Sequence, residues 1–354
     1  MAIPRYRGLA ATPPKPKVAR AADPAPREER ISDVAPIGTH ARTERPSGTA
    51  TRPSGERVAV RLPSPGDLLA GRYRIVRPLG RGGMSVVYEA FHARTEAQVA
   101  VKVLYPELLQ KDEAVRRFLR ESRALSRLHS PHVVQVLDAD TTEAGLPFTV
   151  MELLSGQDLG DVWAGTSPPL VRDVAEYVAQ ACVGLAAAHA AGIVHRDVKP
   201  GNLFLAEEGD TKRVKLIDFG VAKLRERCST GLVTRHGETI GTPLYMAPEQ
   251  IRAKPVDGRA DVWALGVVMY RVLSGRTPFE GKSDQQYLLA VIEQTPRHLA
   301  ELRPDLPRAL ADVVMKALAQ NVDARHADAM ALADALAPFR AAAPAAAPRA
   351  PAAP

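Results

Sequence analysis

Apolar and polar positions divide this chain into three stretches. Residues 1 to about 66 show no sustained apolar period and are rich in Pro, Ala, Arg, Ser and Thr. Such a composition buries too little surface to offset ordering entropy, so a disordered arm is expected. From 71 to 105, "GRYRIVRPLGRGGMSVVYEAFHARTEAQVAVKVLY" predicts three short strands joined by glycine-rich or polar turns. A helical period follows over 112–129, "DEAVRRFLRESRALSRLH", and "HVVQVLDAD" and "PFTVMEL" read again as strands leading to Gly156. Beyond it helical periods dominate, at 171–191, 259–274, 284–293 and 308–319. The end, "RAAAPAAAPRAPAAP", predicts a disordered Pro/Ala tail over 340–354.

The pattern implies an α+β fold in one globular stretch, 67–339. A small β-rich lobe with one helix, about 68–152, precedes a larger, mainly helical lobe, about 155–339, with a crevice between them. Clefts of this kind are common ligand sites.

Charge adds one exclusion. The formal net charge is +7, but residues 1–66 carry twelve Lys and Arg against six acids, and Arg340 and Arg349 add two more positive charges. The globular middle is therefore close to neutral, and a nucleic-acid groove in the body is not expected. Two cysteines, Cys182 and Cys228, stand far apart in no C-x-x-C pair, which speaks against a disulfide framework or zinc site and suits a reducing compartment. The N-terminal "MAIPRYRGLAATPPKPKVAR" lacks an apolar signal core, and no run reaches the roughly 18 apolar residues of a membrane span. A soluble, cytoplasmic chain is the expectation.

Several segments carry candidate chemistry. "LGRGGMSVVY" sets Gly80, Gly82 and Gly83 at a turn between strands, where backbone amides could approach an anion. "VAVKVL" puts Lys102 in a core strand, where an ammonium is costly unless paired. Glu121 interrupts the apolar face of Phe118, Leu125 and Leu128 on the following helix, and offers that lysine a counter-ion. In "HRDVKPGN" Lys199 lies two residues from Asp197 and would keep it ionised, while Asn202 supplies an amide oxygen suited to a hard cation. "LIDFG" ends an apolar strand on Asp218. Each piece alone is compatible with an ordinary loop, turn or edge charge.

Their order is more specific. "GRGGMSVV", "VAVK", Glu121, "HRDVKPGN", "DFG" and "APE" (247–249) together resemble the protein-kinase family over 73–338. Lys199-Pro200-Gly201-Asn202 and Thr242 in "GTPLYMAPEQ" resemble the serine/threonine branch, in its eukaryotic-type bacterial form. Ser85 stands where the family's third loop glycine would be.

The resemblance implies a bilobal kinase fold and transfer of the γ-phosphate of ATP, with Mg²⁺ or Mn²⁺, to Ser or Thr of protein substrates. It implies that Leu79, Gly80, Gly82, Gly83, Ser85, Val87, Ala100, Met151 and Leu205 surround the nucleotide, with backbone groups of Glu152 and Leu154 on the adenine edge. Lys102, held by Glu121, would position phosphates; Asn202 and Asp218 would hold the metal; Asp197 would receive the hydroxyl proton, with Lys199 beside it. Asp261 would support the catalytic loop, and Arg325 would pair with Glu249. Thr234 and Thr239, ahead of Ser229 and Thr230, are the expected phosphoacceptors of the activation segment, with Arg196 receiving the phosphate and transient self-association serving the transfer. Three alternatives stay open on the residues alone: a non-catalytic scaffold, a small-molecule phosphotransferase, and a nucleic-acid-binding role for the basic arm.

Overall fold

A computed structural model of the chain describes residues 60–165, 169–219 and 243–340. All of them belong to one compact unit, residues 57–354. Within it, two hydrophobic cores define two lobes.

The small lobe is a six-stranded antiparallel sheet: β1 (Leu68–Leu69), β2 (Tyr73–Arg81), β3 (Ser85–His92), β4 (Gln98–Leu104), β5 (Val136–Thr141) and β6 (Pro147–Glu152), in the order β1-β2-β3-β4-β6-β5. Alternation sends Val86, Tyr88, Ala90, Val99, Val101, Val103, Phe148 and Val150 into its core, each under 5% exposed. The opposite face carries Val87, Lys102 and Thr149, which are register neighbours across β3, β4 and β6. One helix, α1 (Asp112–Ser126), crosses the sheet and ends three residues earlier than the sequence period suggests. Its Phe118 and Ser122 are buried, and the Ser122 hydroxyl is hydrogen-bonded to that of Thr149. Val60 and Leu62 pack against the small-lobe core, inside the stretch expected to be a disordered arm.

Residues 153–155 link the lobes and lead to a three-stranded sheet of β7 (Gly156–Asp158), β8 (Leu203–Glu208) and β9 (Thr211–Leu216). Gly156 has φ +132°, and a Cβ there would lie 2.2 Å from the Leu205 carbonyl oxygen, so only glycine lets β7 approach β8 this closely. Helices build the rest: α2 (Leu159–Trp163), α3 (Val171–Ala190), α4 (Pro248–Ile251), α5 (Arg259–Ser274), α6 (Asp284–Glu293), α7 (Leu299–Leu302), α8 (Arg308–Ala317) and α9 (Ala329–Leu336). The four long helical periods of the sequence correspond to α3, α5, α6 and α8. Helix α5 is apolar on nearly every face, from Val262 through Tyr270, because it runs through the centre of the lobe.

Candidate active site

The site is assembled from both lobes. Lys102 projects from β4, and its Nζ donates to Asp218 Oδ1 at 2.8 Å; the two are 116 positions apart in sequence. Burial alone would lower the pKa of Lys102. The carboxylate of Asp218, then those of Glu121 and Asp197, outweigh that cost and hold it above the ordinary lysine value. Three of the expected site acids therefore surround one ammonium.

The structure departs from the expected pairing in one respect: Lys102 bonds Asp218 rather than Glu121. Oε1 of Glu121 is buried without a hydrogen-bond partner among the described residues. Desolvation pushes this carboxyl up to about 7, while Lys102, Arg120, Arg117 and Arg196 pull it back only in part.

Residues 195–202 form a loop on the larger lobe. Lys199 Nζ lies 3.2 Å from Asp197 Oδ2, and Asn202 Nδ2 donates to the carbonyl and Oδ2 of Asp197, at 2.7 and 3.1 Å. Asn202 is 4% exposed, and its backbone carbonyl accepts from the Ile217 N–H at 3.0 Å. His195 Nε2 lies 3.1 Å from the Ile217 carbonyl oxygen and its ring packs on Phe219, centroids 4.4 Å apart. Burial lowers the His195 pKa, which keeps the imidazole neutral around pH 7. These bonds fix the loop to the strand end that carries Asp218.

Strain marks the same place. Arg196 and Asp218 adopt left-handed backbone, φ +65° and +54°, a conformation that costs a side-chain-bearing residue about 1–3 kcal/mol and persists only where its surroundings enforce it. The buried Asp261 carboxylate does so at Arg196. It accepts from the N–H of His195 (2.9 Å) and of Arg196 (2.8 Å), and it lies 2.8 Å from His189 Nε2.

In the glycine-rich segment, β2 and β3 pair Gly80 with Val87, and the turn closes through Gly82 N–H to the Ser85 carbonyl at 2.8 Å. Ser85 is buried and Leu79 exposed. Gly80, Gly82 and Gly83 have ordinary negative φ, and a Cβ at any of them would meet nothing closer than 3.6 Å. The chain itself does not require glycine there; an anion lying against the backbone would. Ala100 pairs with Met151, and Glu89 with Ala100, on the sheet that ends at the interlobe link. Glu152 donates its N–H to the Gln135 carbonyl at 3.0 Å, and Leu205 is 5% exposed on β8.

Farther out, Arg325 makes a bidentate buried pair with Glu249, at 2.7 and 2.8 Å, and stacks on Trp263 at 4.9 Å. Gln250 Oε1 accepts from Ala247 N–H, and its Nε2 donates to the Arg196 carbonyl at 3.3 Å, tying the "APE" corner to the loop.

A family profile described as "Protein kinase domain" matches residues 73–336. The chain belongs to the protein kinase family. It falls among the bacterial serine/threonine kinases. It is 42% identical over 267 residues to the serine/threonine-protein kinase Pkn1 of Myxococcus xanthus, covering 75% of this chain and 38% of that protein. It is 42% identical over 273 residues to the DNA damage-responsive serine/threonine-protein kinase RqkA of Deinococcus radiodurans, covering 76% of this chain and 40% of that one. The crystal structure of the Mycobacterium tuberculosis PknI kinase domain superposes with TM-score 0.62 at 31% identity, covering 78% of this chain and all of that one. The chain thus spans about two fifths of the length of these curated relatives.

Within this kinase the structure brings Lys102, Asp197, Lys199, Asn202 and Asp218 into one neighbourhood and leaves Glu121 beside it, unbonded at Oε1. Thr234, Thr239, Ser229, Thr230, Thr242 and Gly220 lie outside the described residues. One feature escaped the sequence reading. Lys215 Nζ sits 2.9 Å from both carboxylate oxygens of Glu152, clamping the interlobe link to β9. The signal was a lysine inside the apolar run "RVKLIDF", the same anomaly that singled out Lys102.

Proposed function

We propose that this chain is a serine/threonine protein kinase that moves the γ-phosphoryl group of ATP onto Ser or Thr hydroxyls of protein substrates. The observation that carries this reading is the convergence of Lys102, Asp218, Asp197, Lys199 and Asn202, drawn from both lobes, around one point.

The residues fit the groups the reaction needs. The open glycine turn leaves room for phosphates against backbone N–H groups. Asp218 and Asn202 offer one carboxylate and one amide oxygen, the sparse donor set that suits Mg²⁺ or Mn²⁺ when phosphates and water complete the shell. Among the described residues no cluster of three or more His, Cys, Asp or Glu forms a competing all-protein cage. The bound divalent ion would neutralise charge on the phosphate oxygens.

The chain's own side chains do the remaining work. Asp197 orients the acceptor hydroxyl and takes its proton; Lys199 bonds that carboxylate and offsets charge on the group in transfer. Lys102 positions the α- and β-phosphates. Val87, Ala100, Met151 and Leu205 sandwich the adenine, whose edge meets backbone groups of Glu152 and Leu154. Thr234 and Thr239 receive phosphate from a second copy in a transient encounter, and the new charge pairs with Arg196. No described helix is long and apolar enough to cross a membrane, and Cys182 is a buried free thiol; we place the domain in the cytoplasm.

The test is direct. Purified chain incubated with γ-labelled ATP, Mg²⁺ and an acceptor protein should place label on Ser or Thr. Asp197→Asn should lower the rate at least about a hundredfold, the usual contribution of a positioned base. Equal labelling by the variant, or label on neither residue type, defeats the reading.

A further inference from the structure

A cavity of about 770 Å³ opens beside the catalytic loop. Lys199 and Gly201 border it from that loop, Trp163 from α2, Tyr245 from the turn before α4, Arg271 from the last turn of α5, and Arg303 from the segment after α7. Among the described residues, three cations line it and no carboxylate does.

The three cations differ in how they are compensated. Lys199 is engaged by Asp197. Arg303 is neutralised by Asp305, with Nε and Nη2 donating at 2.8 and 2.7 Å. Arg271 has no such partner: Nη1 donates to the Tyr245 hydroxyl, and the guanidinium lies over the Tyr245 ring, 5.6 Å from its centroid. No ion pair joins it to a carboxylate among the described residues. The negative end of the α5 dipole favours a cation in that last turn. It does not supply the oxyanion that a forked, half-buried guanidinium is shaped to bind.

The space is open to a peptide. A Cβ built at Gly165, Gly201 or Gly275, which all border the cavity, would meet nothing within 4 Å among the described residues. Trp163 and Tyr245 add apolar wall to a cationic edge.

We propose that this cavity holds an acidic side chain of the protein substrate, with Arg271 as its counter-ion, so that the kinase selects acceptors with an Asp or Glu close by. The inference rests on the kinase reading above and names the substrate class for that site. A volume of this size is roughly 11 Å across, or about three extended residues. The acid therefore lies within about three residues of the phosphorylated Ser or Thr, because the cavity begins at Lys199, which touches the carboxylate that receives the acceptor's proton.

The experiment is a peptide series with one acceptor in a neutral background. Asp, Ala or Arg is placed in turn at each of three positions on either side, and kcat/KM is measured with ATP and Mg²⁺. Asp at one or two of these positions should raise kcat/KM about tenfold over Ala, the worth of one charge-assisted contact, and Arg should lower it. Arg271→Gln should bring the Asp-to-Ala ratio to about one, and Arg271→Glu should invert it in favour of Arg. Ratios are taken on one enzyme preparation, so partial loss of folded protein cancels, and either variant alone suffices. A wild-type ratio within twofold of one at every position overturns the inference, as does a ratio that neither variant moves. Label on a generic acceptor protein but on none of the peptides overturns the inference alone; label on nothing overturns the kinase reading and this with it.

Discussion

Glu121 carries the sharpest physical consequence at the scale of single residues. Its carboxyl sits at about 7 in the fold against an ordinary 4.5, because burial penalises the charged form and Lys102 is committed to Asp218. The folded state therefore holds a proton between about pH 4.5 and 7 that the unfolded chain releases. Stability falls as pH rises through that window and stays lower above it, by about 3 kcal/mol. Glu121→Gln, neutral throughout, should flatten this dependence and unfold at higher denaturant than wild type at pH 8. Matching pH profiles for the two proteins would mean that Glu121 is already ionised and paired. The sequence made both ends of the expected Lys102–Glu121 pair legible, since each is a charge in an apolar pattern. It could not say which carboxylate the ammonium would take. That choice depends on where α1 sits against the sheet, within an ångström or two, and on how the strand ends at Asp218.

At the scale of elements, the glycine turn and the buried pair at the "APE" corner separate function from stability. Gly82 has no positive φ and no crowding neighbour, so Gly82→Ala should leave stability unchanged or raise it by about 0.4–1 kcal/mol. The same variant should raise the KM for ATP severalfold, because the added methyl occupies the space left for phosphate. A drop in melting temperature with unchanged KM would make the turn purely structural. Arg325 behaves in the opposite way. Its side chain is fully buried and bonds Glu249 through two nitrogens, so Arg325→Ala leaves a buried carboxylate uncompensated and should cost about 3–5 kcal/mol in denaturant unfolding. A loss under 1 kcal/mol would mean water or another cation reaches Glu249. The element types were readable from periodicity: α5 ends on Ser274 as its pattern indicates, with Gly275 in left-handed backbone at its C-terminus. The short helices α2, α4 and α7 were not, because four or five residues hold too little period to register.

For the whole molecule, the two-lobe division was legible as a change from alternation to helical period near Gly156, while its outer limits were less so. Val60 and Leu62 join the small-lobe core from a segment rich in proline, alanine and arginine. Val58, Val60 and Leu62 alternate at a spacing of two, but so short a run between prolines is easily passed over. The Lys215–Glu152 clamp was hidden only in part: the lysine stands out in its apolar run, but its partner lies 63 positions away and meets it only in the fold. The lobes have their own cores, and polar groups from each meet where they adjoin. On the proposed function, binding of a nucleotide would draw on both lobes and a cation together. Calorimetric titration of ATP into wild type and Asp218→Asn, each with Mg²⁺ and with chelator, tests this most directly. The account predicts that Mg²⁺ tightens the wild-type Kd at least about tenfold and leaves that of Asp218→Asn unchanged. A wild-type Kd indifferent to Mg²⁺, or an Asp218→Asn protein that responds to it as wild type does, would contradict it.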